Sequence, residues 1–238
     1  MVAGTGGAGA LMLFVVPTPL GNLEDMTARA LRVLKESKVI FCEDTRRTKN
    51  LMNHFGLSNP LERYDENDPR SVDKMLERIA RGEQVSLVSD GGLPGVSDPG
   101  RKIVAAARRA GFPVTALPGP SAVAAAVAGS GLPGDSFIFL GFLPRTPSKR
   151  RKALEAAAAL SRTIVLYESP FRVVDLLEDV VMAVGKDSQV VAVRELSKIH
   201  EEWIRGTASS VKENLASRPE ILGEFVIVLH PDPEPSHA

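Results

Sequence analysis

Short apolar runs recur along the chain, separated by stretches in which apolar residues return every three or four positions, and this alternation predicts strands and helices in turn. In the first half, strands are expected over residues 11–16, 39–42, 84–89 and 114–117, and helices over 27–35, 71–81 and 99–110. Val72, Met75, Leu76 and Ile79 mark one side of the helix at 71–81, and Thr27 offers a capping hydroxyl to the helix that follows it. The second half repeats the pattern, with strands near 136–141, 163–167, 189–194 and 224–229 and helices near 148–159, 170–184 and 208–217. Alternation of this kind indicates an α/β fold rather than a sandwich or a helix bundle. Pro118, Gly119 and Pro120 interrupt the chain before an alanine-rich helix near Ser121, which sets the expected boundary between an N-terminal α/β domain (11–117) and a C-terminal α/β domain (118–231). Residues 1–10 read as a loose, flexible leader and the proline-rich residues 232–238 as a disordered tail.

Composition removes several possibilities. The chain has 238 residues, 29 basic and 29 acidic, so no net charge draws it to nucleic acid or to a membrane, and any such contact must be local. A single cysteine, Cys42, excludes an internal disulfide; in its apolar strand it reads as packing and fits a reducing compartment. No run of 18 apolar residues and no zinc-ligand spacing occurs, so a soluble cytoplasmic protein without a metal is expected.

The strand ending near Ser89 runs into Gly91, Gly92, Pro94 and Gly95 before the next helix. Such a turn bends sharply and leaves main-chain groups bare, and the carboxyl ends of strands are where open α/β sheets take ligands. A tight strand-to-helix connection would use the same residues. The loop from Pro17 to Gly21 is similar, stiffened by Pro17 and Pro19. Ser121 opens a helix and either caps it or offers its hydroxyl and free amides to a ligand.

Six segments occur in a fixed order: VPTPLGNLEDMT (16–27), CEDTR (42–46), SDGGLP (89–94), PGPSA (118–122), YESPFR (167–172) and RELSKIHEE (194–202). With these motifs the chain resembles the tetrapyrrole methylase superfamily, and within it the branch that methylates the 2′-hydroxyl of a cytidine ribose in small-subunit (16S) ribosomal RNA. The likeness runs from residue 11 to about residue 231. It implies two α/β domains with S-adenosylmethionine bound in a cleft between them, commonly as a homodimer, and not a Rossmann-type methyltransferase. It places the cofactor against Pro19 and Leu20, against Gly91, Gly92, Leu93 and Val96, and against Ser121 and Ala122, with Tyr167, Glu168 and Leu196 on the other wall. The implied partner is 16S ribosomal RNA or the assembled small subunit.

Methyl transfer to a ribose hydroxyl is an in-line displacement that needs alignment and removal of a proton. The candidates for that proton are Glu43, Asp44, Lys198, Glu201 and Glu202, Lys198 by way of a lowered pKa; structural ion pairing is the plain alternative for each. Phosphate contacts are expected from Arg46, Arg47 and Lys49 and from the dense run Arg145, Lys149, Arg150, Arg151 and Lys152, whose plain alternative is a solvated helix start. Phe142, Tyr167 and Phe171 are rings suited to stacking on a base, although core burial is expected of each.

Three departures stand out against the family pattern. Gly91 replaces an alanine, Leu93 a threonine and Phe171 a histidine. The family commonly continues into a small helical region that grips RNA, whereas this chain stops soon after its last strand, so ribosome recognition is expected to be weaker or supplied by a partner. Two other functions stay open on the residues: methylation of a tetrapyrrole-like anionic small molecule, and a non-catalytic RNA- or cofactor-binding module. An open basic groove would favour RNA and a closed apolar slot a macrocycle.

Overall fold

The computed structural model describes residues 12–231; the leader and the tail expected from the sequence lie outside them. The chain divides into two compact units, the first ending at Ser121 and the second beginning at Ala122.

The first unit alternates strand and helix: β1 (Leu13–Val15), α1 (Ala28–Glu36), β2 (Val39–Cys42), α2 (Thr45–His54), β3 (Leu61–Arg63), α3 (Pro69–Ala80), β4 (Val85–Leu87), α4 (Arg101–Arg109) and β5 (Val114–Ala116). Local chemistry starts the helices: Thr27 Oγ1 accepts the Ala30 amide at 3.1 Å, and Asp68 accepts the Arg70 amide ahead of Pro69. The strands form one parallel sheet in the order β3-β2-β4-β1-β5. Both faces are covered, which is why β2 reads as an unbroken apolar run. Ile40 and Cys42 pack toward Ala30, Val33 and Leu34 of α1 and Met52 of α2, while Val39 and Phe41 pack toward Met75 and Ile79 of α3 and Ile103 and Ala107 of α4. Burial pushes the Cys42 thiol above its usual pKa, so it is a packing residue and not a nucleophile.

The second unit comprises α5 (Ala122–Ser130), β6 (Phe137–Phe142), α6 (Pro147–Ala158), β7 (Thr163–Glu168), α7 (Val173–Ala183), β8 (Gln189–Arg194), β9 (Glu202–Thr207), α8 (Ala208–Ala216) and β10 (Phe225–His230). Its sheet is mixed, in the order β6-β7-β10-β8-β9, with β6 and β7 parallel and the other pairs antiparallel. Alternate residues again divide the core. Ile164, Leu166, Val190 and Ala192 face α6, α7 and α8, whereas Val165, Val191, Val193, Val226 and Val228 face α5.

Candidate functional site

Two parallel neighbours position the loops that the sequence singles out. β1 and β4 pair with Val15 beside Leu87, so the proline loop after β1 and the glycine loop after β4 leave the sheet together. They remain joined beyond it: Thr18 and Gly92 exchange amide-to-carbonyl hydrogen bonds, each 2.9 Å, and the buried Thr18 hydroxyl donates to the Ser89 carbonyl at 3.0 Å. β1 leads through α1 toward β2, and β4 leads through α4 toward β5 on the other side, so this is the place where the strand order reverses and a crevice opens.

The loop after β5 completes the arrangement. Any Cβ at Gly119 would run into the ring of Pro17, and one at Gly92 would stand 3.2 Å from Leu20 Cδ2 and 3.9 Å from the Pro120 carbonyl oxygen. Gly92 has φ +85°, a conformation that side chains rarely adopt. Gly91 is different, because a Cβ there meets the Pro19 carbonyl oxygen at 3.4 Å and Leu20 Cα at 3.8 Å, ordinary contacts. Pro19, Leu20, Gly91, Gly92 and Ser121 therefore gather in the first unit, with Leu93 half-buried and Val96 partly exposed farther along the glycine loop.

Beside these loops lies a cavity of about 410 Å³ whose walls include Leu20, Leu23, Arg47, Leu51, His54 and Asp90. Asp90 pairs with Arg47 at 3.1 Å, so the cavity mouth carries both signs of charge. Sequence reading omits Ser89, Asp90, Asn50 and His54, although the first two sit inside the SDGGLP motif; α2, which supplies the others, has too few apolar residues to announce itself.

The candidate proton acceptors separate on inspection. Asp44 caps α2, accepting the amides of Arg46 and Arg47 at 2.8 and 3.3 Å, and those bonds lower its pKa. One of its carboxylate oxygens thus caps the helix, which supports the structural alternative for this residue. Lys198 is corrected: burial alone would lower its pKa, but bonds of 2.8 Å to Glu195 and to Glu224 outweigh burial and raise it, so it holds its proton. Glu202 is clamped by Arg218 and Arg194, which outweigh its partial desolvation and hold its pKa at about 2, leaving a very weak base. Glu201 accepts from the Ser197 amide and from the Trp203 indole. Glu43 stays exposed at the end of β2 and makes no ion pair among the described residues.

In the second unit, Ala122, Tyr167 and Leu196 flank the same apolar cluster on the α5 face of the sheet. Leu196 is fixed between Glu195 and Ser197, both in the left-handed region at φ +52° and +65°. The Glu168 side chain turns inward, where it accepts the Ser169 amide at 2.8 Å, and the residue as a whole is buried.

The cationic candidates also divide. Arg46, Arg47, Arg145 and Lys149 are exposed. Arg150 is not: it is 4% exposed and bound to the buried Asp179, which Arg151 also reaches at 2.7 Å. The run at the start of α6 is thus split between solvent and an internal ion cluster, and Arg150 is withdrawn from phosphate contact because helical spacing turns it toward α7. Core burial, expected for the three rings, holds only in part for Tyr167 and fails for Phe142 and Phe171, which are 58% and 88% exposed. Among the described residues no cluster of His, Cys, Asp and Glu is placed to hold a metal ion, and no helix is long and apolar enough to cross a membrane.

The profile of the Tetrapyrrole (Corrin/Porphyrin) Methylases matches residues 12–212. The chain belongs to this family. Among curated proteins, this tetrapyrrole methylase is 42% identical over 218 residues to Ribosomal RNA small subunit methyltransferase I of Halalkalibacterium halodurans, covering 91% of this chain and 75% of that one. The protein of the same name from a Hydrogenobaculum species is 44% identical over 221 residues, 92% of this chain and 95% of its own. That from Escherichia coli O157:H7 is 41% identical over 222 residues, 91% and 77%. Among solved structures, the cobalt precorrin-4 methyltransferase CbiF superposes with a TM-score of 0.71 at 20% identity over 97% of this chain and 100% of that one, a likeness of fold. The tetrapyrrole methylase architecture of two α/β units is thus shared.

Proposed function

We propose that this chain transfers a methyl group from S-adenosylmethionine to the 2′-hydroxyl of a cytidine ribose in small-subunit (16S) ribosomal RNA. The observation that carries the reading is identity above 40%, across more than 90% of the chain, to relatives named for small-subunit ribosomal RNA methylation. The site supports it. Loops tied at Thr18 and Gly92 offer an uncharged main-chain surface beside Leu20 and Val96, with the Ser89 hydroxyl and Asp90 carboxylate at its border. That mixture suits a ligand combining apolar carbon with sugar hydroxyls and an amino-acid end.

S-adenosylmethionine supplies a methyl carbon bonded to a sulfonium, and the bonding pair returns to sulfur as the ribose oxygen bonds to that carbon. The chain's part is to hold the donor against the glycine and proline loops, to keep the incoming ribose in line, and to accept the hydroxyl proton. Glu43 takes that last role, because it is the candidate whose carboxylate is not already held by cations or amides. Phosphate contacts are assigned to Arg46 and Arg47, both exposed on the first turn of α2. The reading places the protein in the cytoplasm with its ribosomal substrate, as a homodimer whose mass sedimentation would report.

The test is incubation with labelled S-adenosylmethionine and small subunits lacking the modification, followed by mapping of the labelled ribose. Label on one cytidine 2′-oxygen is expected. Label on free porphyrin precursors, with none on the subunits, would overturn the reading.

A further inference from the structure

Aromatic rings gather at one end of the second sheet. β6 and β7 run parallel and place Phe142 beside Tyr167; the ring centres lie 5.6 Å apart, and Tyr167 meets Phe139 edge-on at 5.0 Å. Phe142 is more than half exposed, and Phe171, in the loop that follows β7, is almost wholly so. That loop is built rather than loose. Glu168, buried, stands 3.2 Å from Arg172, and Arg172 donates to the Leu143 carbonyl at 3.0 Å, which fastens the loop after β7 to the loop after β6. Arg145, in the loop after β6, and Lys149 and Lys152, on the first turns of α6, are exposed, and residues 142–154 contain no carboxylate.

Rings left in water forgo the gain of burial, and here the loops that follow β6 and β7 are tied together by Arg172, with the basic start of α6 at the same end of the sheet. A flat-faced ligand carrying regular negative charge would cover both features. A second copy of this chain fits less well, because a two-fold contact through this surface would bring the same three cations toward each other.

We propose that Phe142, backed by Tyr167, and Phe171 form a stacking platform for unpaired bases of RNA whose phosphates are held by Arg145, Lys149 and Lys152. The proposal rests on the ribosomal RNA reading and adds to it the form of RNA selected: a single strand, since a duplex hides its base faces. It also gives the basic start of α6 a purpose that the internal pairing of Arg150 leaves to its exposed neighbours.

The full chain and its Phe142→Ala and Phe171→Ala variants are titrated, by fluorescence anisotropy, into a labelled single-stranded oligocytidylate and a blunt RNA duplex of the same length. Each substitution is expected to weaken single-strand binding about 5- to 150-fold, the range for loss of one stacked base, and to leave duplex binding unchanged. Phe142→Trp should retain the affinity. Thermal melting checks that each variant is folded. Unchanged single-strand binding in both alanine variants, or equal losses on strand and duplex, would overturn the platform. So would a wild-type chain that binds the strand no better than the duplex, or alanine variants that only dissociate a dimer in sedimentation. Methyl transfer is followed separately: wild-type transfer to small subunits with indifferent ring variants refutes the platform alone, whereas absent transfer with ring-dependent strand binding refutes the catalytic reading alone.

Discussion

At Gly91 and Gly92, adjacent residues of the same type answer to different constraints. Gly92→Ala would force a side chain into φ +85° against Leu20, and we expect a loss of about 1–3 kcal/mol with weakened S-adenosylmethionine binding, read by denaturant melts and calorimetry. Gly91→Ala places its methyl in open contact and should change stability by less than about 0.5 kcal/mol. Glu43→Gln should lower kcat by about 100-fold or more while S-adenosylmethionine binding stays as in the wild type; unchanged turnover would remove Glu43 from proton transfer. Glu202 belongs to stability instead. Its pKa is about 2 in the folded chain against an ordinary 4.5, so the stabilisation is present above pH 4.5 and disappears as pH falls toward 2. Glu202→Gln should therefore melt earlier at neutral pH and lose less on acidification, as thermal melts across that range would show.

Helices and strands show where local pattern is enough. α1, α3 and the buried strands β2 and β4 follow directly from apolar spacing, because each has a packed partner on every apolar face. α2 does not: its only apolar residues, Leu51 and Met52, are neighbours near its end, so no apolar residue recurs from turn to turn, and its start is visible only as the Asp44 cap. β3 is a three-residue edge, and β9, which begins at the last residue of the charged RELSKIHEE segment, is also an edge strand, with little apolar periodicity to mark it. The site was legible in the same measure. Residues proposed to act through main chain, such as Gly91 and Gly92, sit in recognisable turns, whereas the states of Asp44, Lys198, Glu202 and Arg150 depend on partners distant in sequence or on helix geometry. The α6–α7 contact is the clearest case. Removing one side of the buried pair, as in Asp179→Ala, leaves Arg150 uncompensated and should cost about 3–5 kcal/mol, while replacing both partners with apolar residues should cost less; chemical denaturation of the single and double variants decides it.

Across the whole molecule, 29 positive and 29 negative charges cancel, so no long-range field assists RNA capture. Affinity for RNA should then fall with salt according to the few phosphates met by local cations, with a log–log slope well short of the steep values of strongly basic proteins. Removing Arg46, which is exposed and does not line the cavity, should flatten that slope by about 1 while leaving S-adenosylmethionine affinity in place, measured by filter binding across a salt series.

The reciprocal bonds between Thr18 and Gly92 extend the ladder of β1 and β4, two interior parallel strands of the first sheet, into the loops themselves. A loop fastened in this way opens to solvent only when the strands beneath it separate. In deuterium oxide the amide protons of Thr18 and Gly92 should accordingly survive as long as those of the sheet core, so that the crevice behaves as a rigid receptacle and its neighbour segments, not its floor, supply whatever movement admits a ligand.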